Sequence, residues 1–243
     1  MEDNHFIQKV KLKERYAVFG SFYNVILKDG TIISCRSDLH IVDKEYLKTS
    51  GVNGKPQLLV IMMNPGNSSP LDMNYKIPVY ERIKAPDLIR RTPFVPASDD
   101  DTQNQLMRIM WNTDINHVRI INISDIRNTD SNDFGSKLLG IHSIDKIHSI
   151  FCEERKQEHE QLFNGLGNNA VILKAWGKAI VDSCPSFKDI LENYCLPSLP
   201  TGIKQIGLQG KTYLHYSHPL PKSNFNSQKQ WVKEASSLLL NIC

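Results

Sequence analysis

Residues 58–66 read LLVIMMNPG, an apolar run of strand length that stops at Asn64-Pro65-Gly66. The unbroken run, Gln57–Met63, suits a strand covered on both faces, as in a parallel sheet. Pro65 fixes one backbone angle, and Gly66 permits conformations closed to other residues. The turn can therefore hold Asn64 rigidly and bring backbone N–H groups close to a ligand. Three more stretches repeat the pattern in order: 117–127 (HVRIINISDIR), 170–178 (AVILKAWGK) and 212–221 (TYLHYSHPLP). In open α/β sheets, ligands bind in the crevice beyond the carboxyl ends of the strands. Four parallel strands, Gln57–Met63, Val118–Ile123, Ala170–Ala175 and Thr212–Tyr216, thus predict that Asn64, Asn122, Trp176-Gly177 and His218 meet on one rim.

Working outward, Tyr16–Leu27 and Thr31–Val42 are rich in β-branched and aromatic residues and flank Lys28-Asp29-Gly30. Asp-Gly is a hairpin turn signal, so residues 16–42 read as an antiparallel hairpin added to the sheet. Residues 67–99 are rich in proline, which breaks long helices, and read as an irregular insertion. Asp100 with Gln103 has the spacing of a capping box, opening a helix with Leu106, Ile109 and Met110 on its apolar stripe. Helical periodicity continues over Ser143–Phe163, with His142 and His148 expected to face solvent. It appears again over Gly177–Tyr194, broken near Pro185, and over Gln228–Leu240. Strands alternating with helices predict one α/β domain over 1–243. The expected form is a three-layer α/β/α sandwich on a mostly parallel sheet of about four core strands.

Composition limits the partners. The 243 residues are 40% hydrophobic and 23% charged, and Lys plus Arg exceed Asp plus Glu by 29 to 26, a formal net charge of +3. This balance permits a nucleic-acid partner without demanding one. The five cysteines include no C-x-x-C pair, which argues against a disulfide framework, a zinc ribbon or an iron–sulfur cluster. Reduced thiols and a charged N-terminus without an apolar segment suit a cytoplasmic protein. No apolar run has membrane-spanning length. The acids Asp99, Asp100 and Asp101 are explained by helix capping and the helix dipole, so no metal and no cofactor is expected.

The residues on the rim have usable chemistry. A histidine after a strand can donate a hydrogen bond to a developing oxyanion or exchange a proton, or it can be a structural residue satisfied by backbone groups, the simpler account of His218 taken alone. Asn122, inside an apolar strand, carries an amide that is costly to bury without partners; it can bind a neighbouring loop or read a ligand edge by a donor–acceptor pair. Trp176 reads first as core packing. No P-loop, G-x-G-x-x-G, H-E-x-x-H or G-x-S-x-G is present.

In their order, these segments resemble the uracil-DNA glycosylase superfamily. Met62-Met63-Asn64-Pro65-Gly66 resembles the G-I-N-P-G motif of its mismatch-specific branch, and His218-Pro219-Leu220-Pro221 resembles H-P-S-P. Ile121-Asn122-Ile123 is similar to the strand whose asparagine reads the flipped base, and residues 173–178 (LKAWGK) are similar to L-L-W-G-K. The pattern also resembles a bacterial family with M-L-N-P-S, A-W-G and H-P signatures. The departures are methionine before Asn64, Leu220 in place of serine, and the insertion 67–99.

The resemblance implies a monomeric DNA glycosylase that leaves an abasic site. Asn64 would orient water and His218 would stabilise the departing base. Pro65, Gly66, Asn122 and Trp176 would contact that base, with Tyr75, Tyr80 or Phe94 stacking on it. Leu220 or Lys222 would enter the helix gap or touch phosphate, with Lys174, Lys178, Arg90 and Arg91 on the DNA backbone. The insertion extends the expectation to bulky, phage-type bases, and so to defence as well as repair. The alternatives are a non-catalytic nucleic-acid-binding protein and a nucleoside or nucleotide hydrolase on the same frame.

Overall fold

The computed structural model describes residues 6–221 and 224–242. Eight strands form one mixed sheet: β1 Tyr16–Ile26, β2 Ile32–Asp43, β3 Leu58–Met62, β4 Val79–Glu81, β5 Val95–Pro96, β6 His117–Asn122, β7 Val171–Lys174 and β8 Lys204–Ile206. Their order across the sheet is β4-β1-β2-β6-β3-β7-β8, with β5 paired to β1. The expected hairpin is present as β1 and β2, and β2 joins β6 antiparallel. The expectation of about four strands is corrected to eight. Four of them, β6-β3-β7-β8, make the parallel block.

The helices are α1 Lys9–Arg15, α2 Lys44–Ser50, α3 Ala85–Ile89, α4 Asp101–Thr113, α5 Ser131–Ile144, α6 Lys156–Asn164, α7 Ala179–Ser183, α8 Pro185–Ile190, α9 Leu196–Ser198 and α10 Phe225–Leu240. Side chains alternate across the central strands, so each face carries its own core. Leu58, Val60 and Met62 pack with Leu12, Leu106, Ile109, Trp231 and Val232 from α1, α4 and α10. Leu59 and Ile61 pack with Ala85, Phe134, Leu162, Ile180 and Phe187 from α3, α5, α6, α7 and α8. Helices on both faces of a mixed sheet are compatible with three layers.

Three expectations need correction. The fourth parallel strand is Lys204–Ile206, not Thr212–Tyr216, which is a turn joined to Gln209 by one isolated bridge. The Pro-rich segment is irregular over most of its length but not throughout. It contributes β4, α3 and β5, and both strands add to β1 at the far edge of the sheet. The helix expected over Ser143–Phe163 is interrupted between Ile144 and Lys156. Within the break, Asp145 Oδ1 accepts from Ile147 N at 3.0 Å, and Ser149 Oγ donates to Ile123 O at 2.7 Å. Local side-chain bonds of this kind compete with the helical ladder.

Within the break His148, paired with the half-buried His142 of α5, holds the segment after β6. His148 is fully enclosed, with Nδ1 3.0 Å from Ser124 Oγ and Nε2 3.1 Å from His142 Nδ1. This overturns the expectation that His148 faces solvent. At the other end of β6, His117 is equally enclosed, 2.7 Å from His40. Burial disfavours the charged ring and pushes both His117 and His148 from 6.5 down to about 3. An unfolded chain binds these protons below about pH 6.5, whereas the folded chain refuses them until about pH 3. The stability is thus fully present above 6.5 and is lost as pH falls below it. Urea unfolding at about pH 5.5 should show roughly 1 kcal/mol less stability per histidine than at about pH 7. An unchanged midpoint would show that these rings do not stay neutral in the folded state.

Candidate active site

In the parallel block the chain enters at β3, moves to one side for β6, then crosses to β7 and β8 on the other side. The strand order therefore reverses between β3 and β7, and a crevice at the carboxyl ends of the strands is expected there. A cavity of about 1410 Å³ opens at this point. Its lining includes Asn64, Gly66, Trp176, Gly177, Lys178, His218, Leu220 and Pro221. Segments far apart in the chain, singled out from sequence, thus share one cavity.

The turn after β3 is locked to the segment after β6. Ile123 N donates to Met62 O at 2.8 Å and Ser124 N to Met63 O at 3.2 Å, prolonging the pairing beyond the strand ends. The Asn64 amide nitrogen faces three carbonyls: Asn128 O at 2.9 Å, Pro65 O at 3.0 Å and Ile126 O at 3.4 Å. A flipped amide would set Oδ1 against all three, so this network fixes the orientation. Nδ2 is consumed in holding the turn, and Oδ1 is the atom left to accept from a ligand or water. Gly66 leaves little room for a side chain: a Cβ there would stand 3.0 Å from Asp100 Oδ2, which would have to give way. Asp100 in turn closes the expected capping box on α4, with Oδ1 accepting from Thr102 N and Gln103 N while Gln103 Oε1 accepts from Asp100 N.

The His218 loop is pinned across the cavity. Trp176, fully buried, donates from Nε1 to Leu214 O at 2.8 Å, and Trp231 on α10 donates to Ser217 O at 3.3 Å. Gly177 N donates to Tyr216 O at 3.0 Å. Gly177 has φ +97°, a conformation that favours glycine, and it lies opposite His218, whose Cβ would stand 3.7 Å from an added Cβ. Leu220 N donates to His218 Nδ1 at 3.1 Å. A ring nitrogen that accepts carries no proton, so the neutral imidazole holds its hydrogen on Nε2 and is a donor there.

Arg36 also lines this cavity, and sequence reading missed it. Along β2, Cys35 packs into one core, and Leu39 and Ile41 pack into the other. The pairing with β1 skips Ser37, matching Ser21 to Asp38 but Phe22 to Arg36. This bulge shifts the alternation and turns Arg36 to the face of Leu39 and Ile41. Simple alternation, the only available signal, would have placed it on the opposite face.

Several expected residues lie elsewhere. Asn122 does not line the cavity. It is fully enclosed at the end of β6, on the face of cavity-lining Ile120, and neither Nδ2 nor Oδ1 has a partner among the described residues. Pro65 is buried behind its turn. Tyr75, Tyr80 and Phe94 travel with the insertion. Tyr80 stacks on Tyr23 and bonds Thr92 Oγ1 at 2.9 Å, and Phe94 packs on His40. Arg90 is tied to Asp87 on α3, and Lys174 sits over the Tyr216 ring. Neither they nor Arg91 line the cavity. Lys222 lies outside the described residues. Among the described residues no group of three or more His, Cys, Asp or Glu side chains is placed to hold a metal ion, and no helix is long and apolar enough to cross a membrane. Comparison with family models, curated proteins and solved structures finds no match for this chain.

Proposed function

We propose that the chain is a DNA glycosylase, hydrolysing the N-glycosidic bond of a uracil-like or modified base extruded into this cavity. The observation that carries the reading is the pairing of Asn64 and His218 on one cavity, each with its hydrogen-bonding sense fixed by backbone groups. Water would donate to Asn64 Oδ1 and be held against the anomeric carbon, a positioning role because an amide is a poor base. As the carbon–nitrogen bond breaks, its electron pair goes to the base. Negative charge then grows on a base oxygen, where His218 Nε2–H donates to it. Water completes the new carbon–oxygen bond and loses its proton to solvent, leaving an abasic sugar. The base must leave the duplex because its reacting bond is unreachable within the stack. The resemblance of MNPG and HPLP to the glycosylase motifs supports the same assignment.

A second reading is cleavage of a free nucleoside or nucleotide. It is favoured by the charges around the cavity, where Asp100, Asp130 and Glu234 stand with Arg36 and Lys178. The two readings separate by salt. A glycosylase gripping several phosphates loses affinity for DNA steeply as salt rises, by roughly 10³-fold or more between about 50 and 200 mM for six contacts. Salt titration of base release from uracil-containing duplex and from deoxyuridine monophosphate therefore decides between them. Release from the free nucleotide alone, insensitive to salt, would overturn the DNA reading. Salt-sensitive DNA binding with no released base would favour a binding protein.

A further inference from the structure

Arg36 is 2% exposed, yet its Nε and Nη1 have no hydrogen-bond partner among the described residues. Isolated buried charge is costly, and buried polar groups in native proteins are nearly always satisfied. Its neighbours do not resolve this. Asp100, Asp125 and Asp38 attract it, but none makes an ion pair with it among the described residues, and one Asp100 oxygen already caps α4. Arg127, also close, repels it, and spends Nη2 on Ser68 O. Arg36 is one of the residues lining the cavity, on the sheet face that the Ser37 bulge lets it share with Leu39 and Ile41. Beyond the Leu39–Ile120 pair, Asn122 lies on the same sheet face with both amide atoms unpartnered. Unspent donors and a fixed positive charge are thus gathered beside the cavity floor, at a bulge, where active sites commonly re-aim a side chain.

We propose that Arg36 forms an oxyanion subsite in this cavity, taking a carboxylate or phosphate group carried by the ligand. The inference rests on the base-release reading and names the charge of the ligand that the same cavity accepts. A guanidinium suits this task because its planar donors match the geometry of both oxyanions, and charge-assisted bonds are stronger than neutral ones. The two sources of such a group differ: a carboxylate on the base itself, or a phosphate on the sugar.

Calorimetric binding of two ligand pairs distinguishes them: 5-carboxyuracil against thymine, and deoxyuridine monophosphate against deoxyuridine. The anionic member of one pair should bind at least about tenfold more tightly. Arg36→Met should erase that preference while melting no lower than wild type, because it removes an unpaired buried charge. A residue serving only structure would show the reverse. Should Arg36→Met fail to fold, Arg36→Lys decides, since it keeps the charge but loses the planar fork, and the preference should shrink. No preference in either wild-type pair would overturn the proposal, as would one that survives Arg36→Met or stands undiminished in Arg36→Lys. These readouts need no turnover. Base release without anionic preference would remove this proposal alone, and anionic preference without base release would remove the glycosylase reading alone.

Discussion

Replacement of His218 by alanine is expected to slow base release by about 10²–10³-fold with the protein still folded, the loss seen when one preorganised oxyanion donor is removed. The expectation follows from geometry. Leu220 N–H occupies Nδ1, so the donor is Nε2, and Ser217, the neighbouring residue, is held by Trp231 Nε1. The donor is therefore aimed before the ligand arrives, and alanine removes it without disturbing that anchor. The fall should appear in kcat more than in KM, because charge on the base grows only as the bond breaks. His218→Gln keeps a donor of similar reach and should recover part of the rate. Single-turnover release from a uracil-containing oligonucleotide provides the measurement. Rates within threefold of wild type for His218→Ala would remove His218 from the chemistry.

The largest effect on stability is expected at Arg155, buried beside Tyr23 and Asp125. Its Nε and Nη2 each meet a Glu158 oxygen at 2.9 Å, and Nη1 meets Asp125 Oδ2 at 2.6 Å. Tyr23 OH donates to the same Asp125 oxygen at 2.8 Å. Arg155 and Asp125 side chains are fully buried. Removing one partner of such a network strands the remaining charges in a medium that cannot solvate them. Arg155→Ala should therefore cost about 3–5 kcal/mol, or roughly 10 °C in Tm for a chain of this size. Activity should suffer as well, because Asp125 belongs to the segment whose carbonyls hold Asn64. Chemical unfolding of Arg155→Ala and of Arg155→Met checks this. A loss below about 1 kcal/mol in the alanine variant would show that the network contributes little. The apolar methionine should be the milder change, since it refills most of the vacated volume.

Three parallel strands were legible because each is an apolar run buried on both faces and closed by turn residues. The hairpin and the Asp100 cap were legible because their signals are local: an Asp-Gly turn and two residues at capping-box spacing. The fourth strand was misplaced because β8 is a three-residue edge strand, Lys-Gln-Ile, with no apolar run to mark it. Thr212–Tyr216 carries the stronger strand composition, but it closes a turn in which His215 N bonds Thr212 O. At the site, Asn64 and His218 were visible as polar residues closing apolar runs. Arg36 was invisible because its orientation depends on a bulge, which only the pairing of β1 with β2 reveals. The aromatics of the insertion do not line the cavity, for a related reason. Gly66 and Asp100 root that segment at the cavity, but β4 and β5 draw its body to the β1 edge.

In the proposed reaction Asn64 and His218 act together on a glycosidic bond. Its most direct test is mass spectrometry of free base after incubating the protein with duplex and single-stranded DNA carrying uracil, mismatched thymine or hypermodified cytosine. The Asn64→Ala/His218→Ala double variant, checked for folding, is the blank. A freed base with a matching alkali-labile site, present with wild type and absent with the double variant, is the predicted result. Folded wild-type protein that releases no base from any of these substrates would contradict it.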